Sequence, residues 1–391
     1  MGSPTDAERR SRRYRRGFAI MAGVVAVVTV VGSVPRWWCG RDADAWFDGD
    51  SARVHGLAEE LVAFEDADDR RRASGAGGEI DGMWGLLAHQ MTALGLAQVS
   101  LAHPEWRDRY APIATRAAAK SLRPEMYSVF TGTWHGEDGV TVPDSPNGHA
   151  YLSYPALALG MARLVDPSFP AALAAQQDSL VASFERRLLA SPTGLIDTMP
   201  GEAYPTDVAA VAAAIAVHGR ATGVDHSAVL THWAERVRGV QIDRDTGLVW
   251  QRMGIDGRPH DAPRASGTGF AAYFAGFANR ALAEELADGA FRQERSVLGF
   301  GAIHEYGGGS DGVGDIDSGP VILGISVSAS GFALAPARAF GHRELFTRLY
   351  RTVDLFGLPL RSGNRVRFAN GGAIGNALLL AFLTSGPEVA R

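Results

Sequence analysis

Several acidic side chains and a histidine stand where small or polar turns open helices rich in Ala, Gly and Leu. Asp81 lies in Asp81-Gly82-Met83-Trp84, His149 in Asn147-Gly148-His149, and Asp207 in Tyr204-Pro205-Thr206-Asp207. Glu202 and Asp197 precede Asp207, while Glu305, Asp315 and Asp317 flank a glycine-rich stretch. Histidine titrates near neutrality, so His149 is a candidate general acid, general base or hydroxyl binder. A protonated carboxyl at Asp207 would assist departure of a hydroxyl or glycosidic oxygen, with Asp81 and Glu202 in support. Two carboxyls from different loops, such as Asp207 and Asp317, would suit acid/base chemistry on a sugar. The competing role for Asp207 and Asp317 is structural, because Asp, Thr and Ser commonly cap helix starts. Trp84, Trp134, Tyr204 and Trp250 lie near the same turns and could clamp an apolar ligand or a sugar face; aromatics also dominate ordinary cores.

No metal or cofactor is expected. Cys39 is the only cysteine, so neither an internal disulfide nor a cysteine cluster can form. Asp315 and Asp317 lack the bidentate Glu that a calcium loop requires. Gly307-Gly308-Gly309 and Gly371-Gly372 lack the Lys-Ser/Thr ending of a phosphate loop.

The elements carrying these residues repeat. With Ser266-Gly267-Thr268-Gly269, Asp315-Ile316-Asp317-Ser318-Gly319 and Asn370-Gly371-Gly372, six openings recur. Their spacing of roughly 50 to 65 residues is the length of one helical hairpin plus loops. Amphipathic stretches intervene at 52–64, 104–122, 169–189, 227–240 and 343–356. The pattern predicts an all-α (α/α)6 barrel, a six-hairpin toroid whose inner-helix openings line one cavity. A strand-like alternation at 246–253 predicts a short β-hairpin on the rim, and 126–147 and 300–314 are expected as long rim loops.

The chain has 391 residues, 46% hydrophobic and 21% charged, with net charge −5. That composition supports one large core, placed at 45–391, and argues against a nucleic-acid partner. Lys120 is the only lysine, which reads as base composition. The N-terminus differs: six arginines between Arg9 and Arg16 precede an uncharged run at 17–35, near the length that crosses a bilayer. Residues 1–16 are therefore expected as a cytoplasmic tail, 17–38 as a transmembrane signal anchor, and the barrel as extracytoplasmic. Small residues in Val31-Gly32-Ser33 suit cleavage instead, whereas Pro35 and the interfacial pair Trp37 and Trp38 favour a retained helix.

Ordered patterns from about residue 84 to 347 resemble the linalool dehydratase/isomerase family. They are Leu94-Gly95-Leu96-Ala97-Gln98-Val99-Ser100-Leu101, Trp134-His135-Gly136-Glu137-Asp138-Gly139, and Gly148-His149 with Leu152. Gly194-Leu195-Ile196-Asp197-Thr198-Met199-Pro200 through Asp207, and Asp243-Arg244-Asp245-Thr246-Gly247, complete the set. The resemblance implies an (α/α)6 barrel and cofactor-free hydration, dehydration or isomerisation of a monoterpene alcohol. It places the family's histidine at His149 and its two active-site cysteines at Thr198 and Asp207, with Asp197 one residue from the first. The family's tyrosine falls near 250–253, where this sequence has none. The fold can therefore carry over while the reaction does not. Three functions stay open: a lyase/isomerase-like enzyme on a small, possibly isoprenoid, hydroxylated molecule; a glycoside hydrolase or polysaccharide lyase acting on envelope glycans; or a non-catalytic scaffold.

Overall fold

Helices built from Ala and Gly can approach one another closely, and in the computed structural model they close into a ring. Residues 6–67, 79–309, 312–315, 318–319 and 321–386 are described, with side chains from residue 14 and, in the second segment, from residue 82. The inner ring comprises Glu79–Ala102, Ser153–Val165, Pro205–Thr222, Ala265–Ala278, the broken pair Val327–Phe332 and Leu334–Ala339, and Gly372–Leu383. Each packs against the next, and Gly372–Leu383 returns to Glu79–Ala102. The closure depends on Gly95, where a Cβ would stand 2.9 Å from Leu380 Cγ. Ser51–Asp66, Arg107–Ser121, Ala171–Ala190, Ser227–Arg236, Arg280–Phe291 and Arg343–Gly357 pack outside. This is an (α/α)6 barrel.

Local signals explain most of the boundaries. Pro205 sits at the first position of Pro205–Thr222, and Gly223 ends that helix with φ 80°. The Asn279 carboxamide accepts from Leu282 N at 3.0 Å to start Arg280–Phe291. The fifth inner helix departs from expectation. It begins at Val327 rather than near 315–319, because Val321–Ile322 and Ile325–Ser326 first pair as strands. The Ser326 hydroxyl then caps Ala329 N at 3.0 Å.

Two rim segments also differ from expectation. Residues 126–133 of the anticipated first loop belong instead to the helix Pro124–Thr133, begun by its proline. The second loop starts as the strand Phe300–His304, paired antiparallel with Glu294–Val297 and Ile325–Ser326. The stretch 246–253 behaves as expected: Trp250 and Met253 bridge Pro263 and Pro259 antiparallel around the turn at 254–258, and Val249 and Met253 also bridge Ile242 and Ala203. A separate hairpin, Pro359–Ser362 with Arg365–Phe368, lies before the last inner helix.

Lys120 has a structural role. Its buried ammonium lies 3.2 Å from Glu65 Oε2 and donates to the Glu65 carbonyl at 2.9 Å, while His89 Nδ1 lies 2.7 Å from Glu65 Oε1. The cluster joins two outer helices to the first inner one. Removing one member of a buried pair strands the other charge. Lys120→Met should thus destabilise the fold by about 3–5 kcal/mol, read from the midpoint of chemical unfolding; an unchanged midpoint would remove the cluster from the stability account.

The helix Asp6–Trp38 precedes the barrel and is long and apolar enough to cross a membrane. Its far end is held by the domain, where Gly40 N donates to Asp354 Oδ2 at 2.8 Å.

Candidate active site

The inner-helix openings surround a cavity of about 1000 Å³. Most of its wall is aliphatic or aromatic, including Leu86, Phe270, Phe332, Leu379 and Phe382. One end is polar, where Tyr154, Thr198, Thr206, Asp207, Gln251 and Ser266 meet. These residues come from the starts of three inner helices and the loops that precede them.

Asp207 is at the centre of the polar end. Tyr154 Oη donates to its Oδ1 at 2.5 Å, and Thr198 Oγ1 donates to Oδ2 at 2.6 Å. The half-buried carboxyl faces the cavity, where a ligand can reach it, and protein closes over its other side. Burial raises its pKa above the ordinary carboxylate range, and the two hydroxyl donors oppose that rise. A carboxyl that favours its proton in an apolar chamber is suited to general-acid work.

The loop bearing Thr198 is fixed from several sides. Thr198 N donates to Glu202 O at 2.8 Å, Ala203 and Met253 exchange backbone bonds, and Trp134 Nε1 donates to Thr198 O at 3.0 Å. Ala150 N reaches Asp197 O at 3.0 Å, and a Cβ on Gly148 would stand 2.2 Å from that same oxygen. Only glycine permits this approach.

His149 is placed elsewhere than expected. It is fully buried with φ 51°, outside the cavity wall, and its Nε2 lies 2.7 Å from Glu137 Oε1. Burial lowers its pKa, which makes it a neutral imidazole that donates to the carboxylate. Glu137 is driven down to about 2 by hydrogen bonds from Ser145 and His149. Tyr151 and Trp134 pack on the ring, the latter with centroids 4.9 Å apart. His149 thus supports Trp134, which holds Thr198, which holds Asp207. It touches the cavity's polar end only through these neighbours.

The remaining expected residues divide. Trp84 and Tyr204 line the cavity. Glu202 does not: it pairs with Arg252 at 2.7 Å and accepts from Tyr204 Oη at 3.2 Å. Trp134 is buried behind the Thr198 loop, and Trp250 packs on the core and bridges Pro263. Asp81 falls in the first turns of Glu79–Ala102, its side chain outside the described residues, and Asp317 lies outside them altogether. Asp315 is engaged by Arg264. Among the described residues, no group of three His, Cys, Asp or Glu side chains could hold a metal ion.

Ser266 is an addition to the expected set, whereas Tyr154 belongs to the aromatic side chains expected near the inner-helix starts and takes the part of a hydroxyl donor to Asp207. Both stand at inner-helix starts, which for Ser266 was the only signal in the sequence. Ser266 Oγ donates at 2.5 Å to Glu305, a fully buried carboxyl behind the wall whose pKa burial raises.

No family model matches the sequence, and no curated protein does. Solved structures do match. A D-mannose isomerase superposes with TM-score 0.53 at 11% identity, over 86% of this chain and 97% of its own. The unsaturated glucuronyl hydrolase of Bacillus sp. GL1 gives TM-score 0.50 at 12% identity, over 87% and 95%. The likeness is one of fold. Both cover nearly the whole of their own chains, so the barrel is matched as a unit and not as a few helical hairpins.

Proposed function

We propose that the chain is a cofactor-free acid/base enzyme that adds, removes or relocates a hydroxyl on an apolar, isoprenoid-like substrate, similar to linalool dehydratase/isomerase. The observation that carries this reading is Asp207, a proton-favouring carboxyl at the polar end of an otherwise apolar chamber. Asp207 gives its proton to the substrate hydroxyl, and the C–O bond breaks with its electron pair leaving on water. The allylic cation then loses a proton from a neighbouring carbon to the Asp207 carboxylate. This forms an alkene and restores the acid. The reverse sequence is hydration, and rehydration at the other allylic carbon is isomerisation.

Tyr154 and Thr198 stabilise the carboxylate as it forms. Phe270 and Phe332, stacked with centroids 4.6 Å apart, and Phe382 line the chamber and place aromatic rings beside the cation. Residues 17–38 anchor the enzyme in a membrane, and the barrel at 45–391 works outside the cytoplasm.

A sugar is the second reading, favoured by the two structural neighbours, which are named for D-mannose and for an unsaturated glucuronyl substrate. Each sugar hydroxyl would need a partner on the wall; beyond the polar end these are Arg295, Ser328, Ser330, Thr352 and Asn370, set among mostly apolar side chains.

Turnover of isoprenoid alcohols and of oligosaccharides by the full chain, followed by mass spectrometry, separates the two. Water loss or a shifted double bond in the alcohols is expected. Turnover of oligosaccharides alone would overturn the proposal. Because the working form of Asp207 is protonated, the rate should be highest at acid pH. It should fall about tenfold per pH unit above the raised pKa. A rate that rises through that range would make Asp207 a base.

A further inference from the structure

The mouth of the cavity is apolar as well as its interior. Val297, Leu298, Ile322, Leu323, Leu355 and Phe356 both line the cavity and are exposed, Leu323 at 90% and Phe356 at 63%. Isolated exposed hydrophobes are common, whereas a contiguous apolar patch marks a contact surface.

The backbone at this collar is unusual in the same sense. Two hairpin tips there are Leu298-Gly299 and Leu323-Gly324, with φ of 53° and 85°, and of 52° and 79°. Turns with positive φ at both central positions favour Asn, Asp or Gly first, and a leucine there is strained. Leu358, exposed at 52% beside Phe356, has φ 51° as well. In water a polar turn residue would be cheaper at all three sites.

The N-terminal helix meets this collar. Gly32 abuts the tip of the first hairpin, so that a Cβ on the glycine would stand 2.7 Å from Leu298 Cδ1. Arg351 Nη1 donates to Gly299 O at 3.0 Å, and Asp354 on the same outer helix holds Gly40. Trp37 and Trp38 are exposed at 71% and 72% and would sit at the membrane interface. At 1.5 Å per residue, Gly32 lies about 7 Å deeper than Trp37 along the helix. Leu298 shares that depth, which is the acyl boundary reached by interfacial apolar groups. Exposed Arg36, Arg41 and Arg295 flank the collar, as an anionic headgroup layer would require.

We infer that the collar is a membrane-docking face, inserted in the bilayer crossed by the N-terminal helix, so that the cavity opens into lipid. The docking stands on the surface and the anchor; its consequence, that substrate arrives laterally from the bilayer, rests on the apolar-substrate reading above.

Insertion can be measured without any substrate. The full chain carrying Cys39→Ser would receive a single cysteine at Leu323, Phe356 or Val224, labelled with an environment-sensitive fluorophore, and be reconstituted in vesicles of phosphatidylcholine and phosphatidylglycerol. Val224 is exposed just past the C-terminal end of an inner helix, on the opposite face of the barrel. Brominated acyl chains should quench the labels at Leu323→Cys and Phe356→Cys several-fold more than that at Val224→Cys. Quenching of all three by aqueous iodide alone would overturn the inference. So would Leu323→Cys and Phe356→Cys labels shielded from both quenchers and cross-linked between two copies of the chain. Failure of isoprenoid turnover with lipid quenching intact would remove the proposed reaction and leave the docking face standing.

Discussion

Asp207→Asn should reduce turnover about 10³-fold, the ordinary contribution of a positioned general acid. The amide keeps the size of the carboxyl and can still accept from Tyr154 or Thr198, so the site's shape persists. It cannot give up a proton to a leaving hydroxyl. Stability should behave in the opposite way. The folded-state pKa of Asp207 is raised, so the folded protein binds more protons than the unfolded chain between about 3.9 and that raised value. Wild-type stability consequently falls as pH rises through this window, and above it the buried carboxylate is a standing cost. Asn carries no such charge. The variant should melt at the same temperature as wild type or higher near neutral pH, and lose that part of the pH dependence. Full activity in Asp207→Asn would remove the residue from the mechanism, and a large fall in melting temperature would assign it to structure.

The second large effect concerns the chamber itself. Gly331 and Gly375 line the cavity with ordinary helical backbone, and nothing lies within 4 Å of where their Cβ atoms would be. A side chain added at either position grows into the void and not into the protein. Gly375→Phe should lower kcat/KM for the longest accepted isoprenoid alcohol by about 10- to 100-fold and spare short ones, since one methylene of fit is already worth that order. Gly331→Phe, on the adjacent inner helix beside Phe332, should narrow the chain-length range in the same direction. A chain-length profile unchanged in both variants would mean that substrate binds outside the cavity.

His149 offers a more limited lesson about function. Its position at an opening turn and its match to a family histidine both pointed to the cavity. The left-handed backbone at φ 51° turns the ring instead into the Glu137, Tyr151 and Trp134 cluster. That outcome depends on contacts between residues 134, 137 and 149, which no local pattern encodes. Glu202 is diverted in the same way by Arg252, fifty residues downstream.

What the sequence determined by itself was the repeat. Helix periodicity, prolines at first turns and small residues on inner faces act over a few residues, so the barrel and most helix limits could be read directly. Asp207 could be read too, because a carboxyl at an inner-helix start can only cap the helix or face the ring's interior. The tertiary structure decided which of these polar residues meet, since Thr198 and Tyr154 reach Asp207 only through loops locked by long-range hydrogen bonds. It also decided that the chamber is apolar and that its mouth joins the anchor helix. Those properties belong to side chains from segments hundreds of residues apart, brought to one surface when the ring closes.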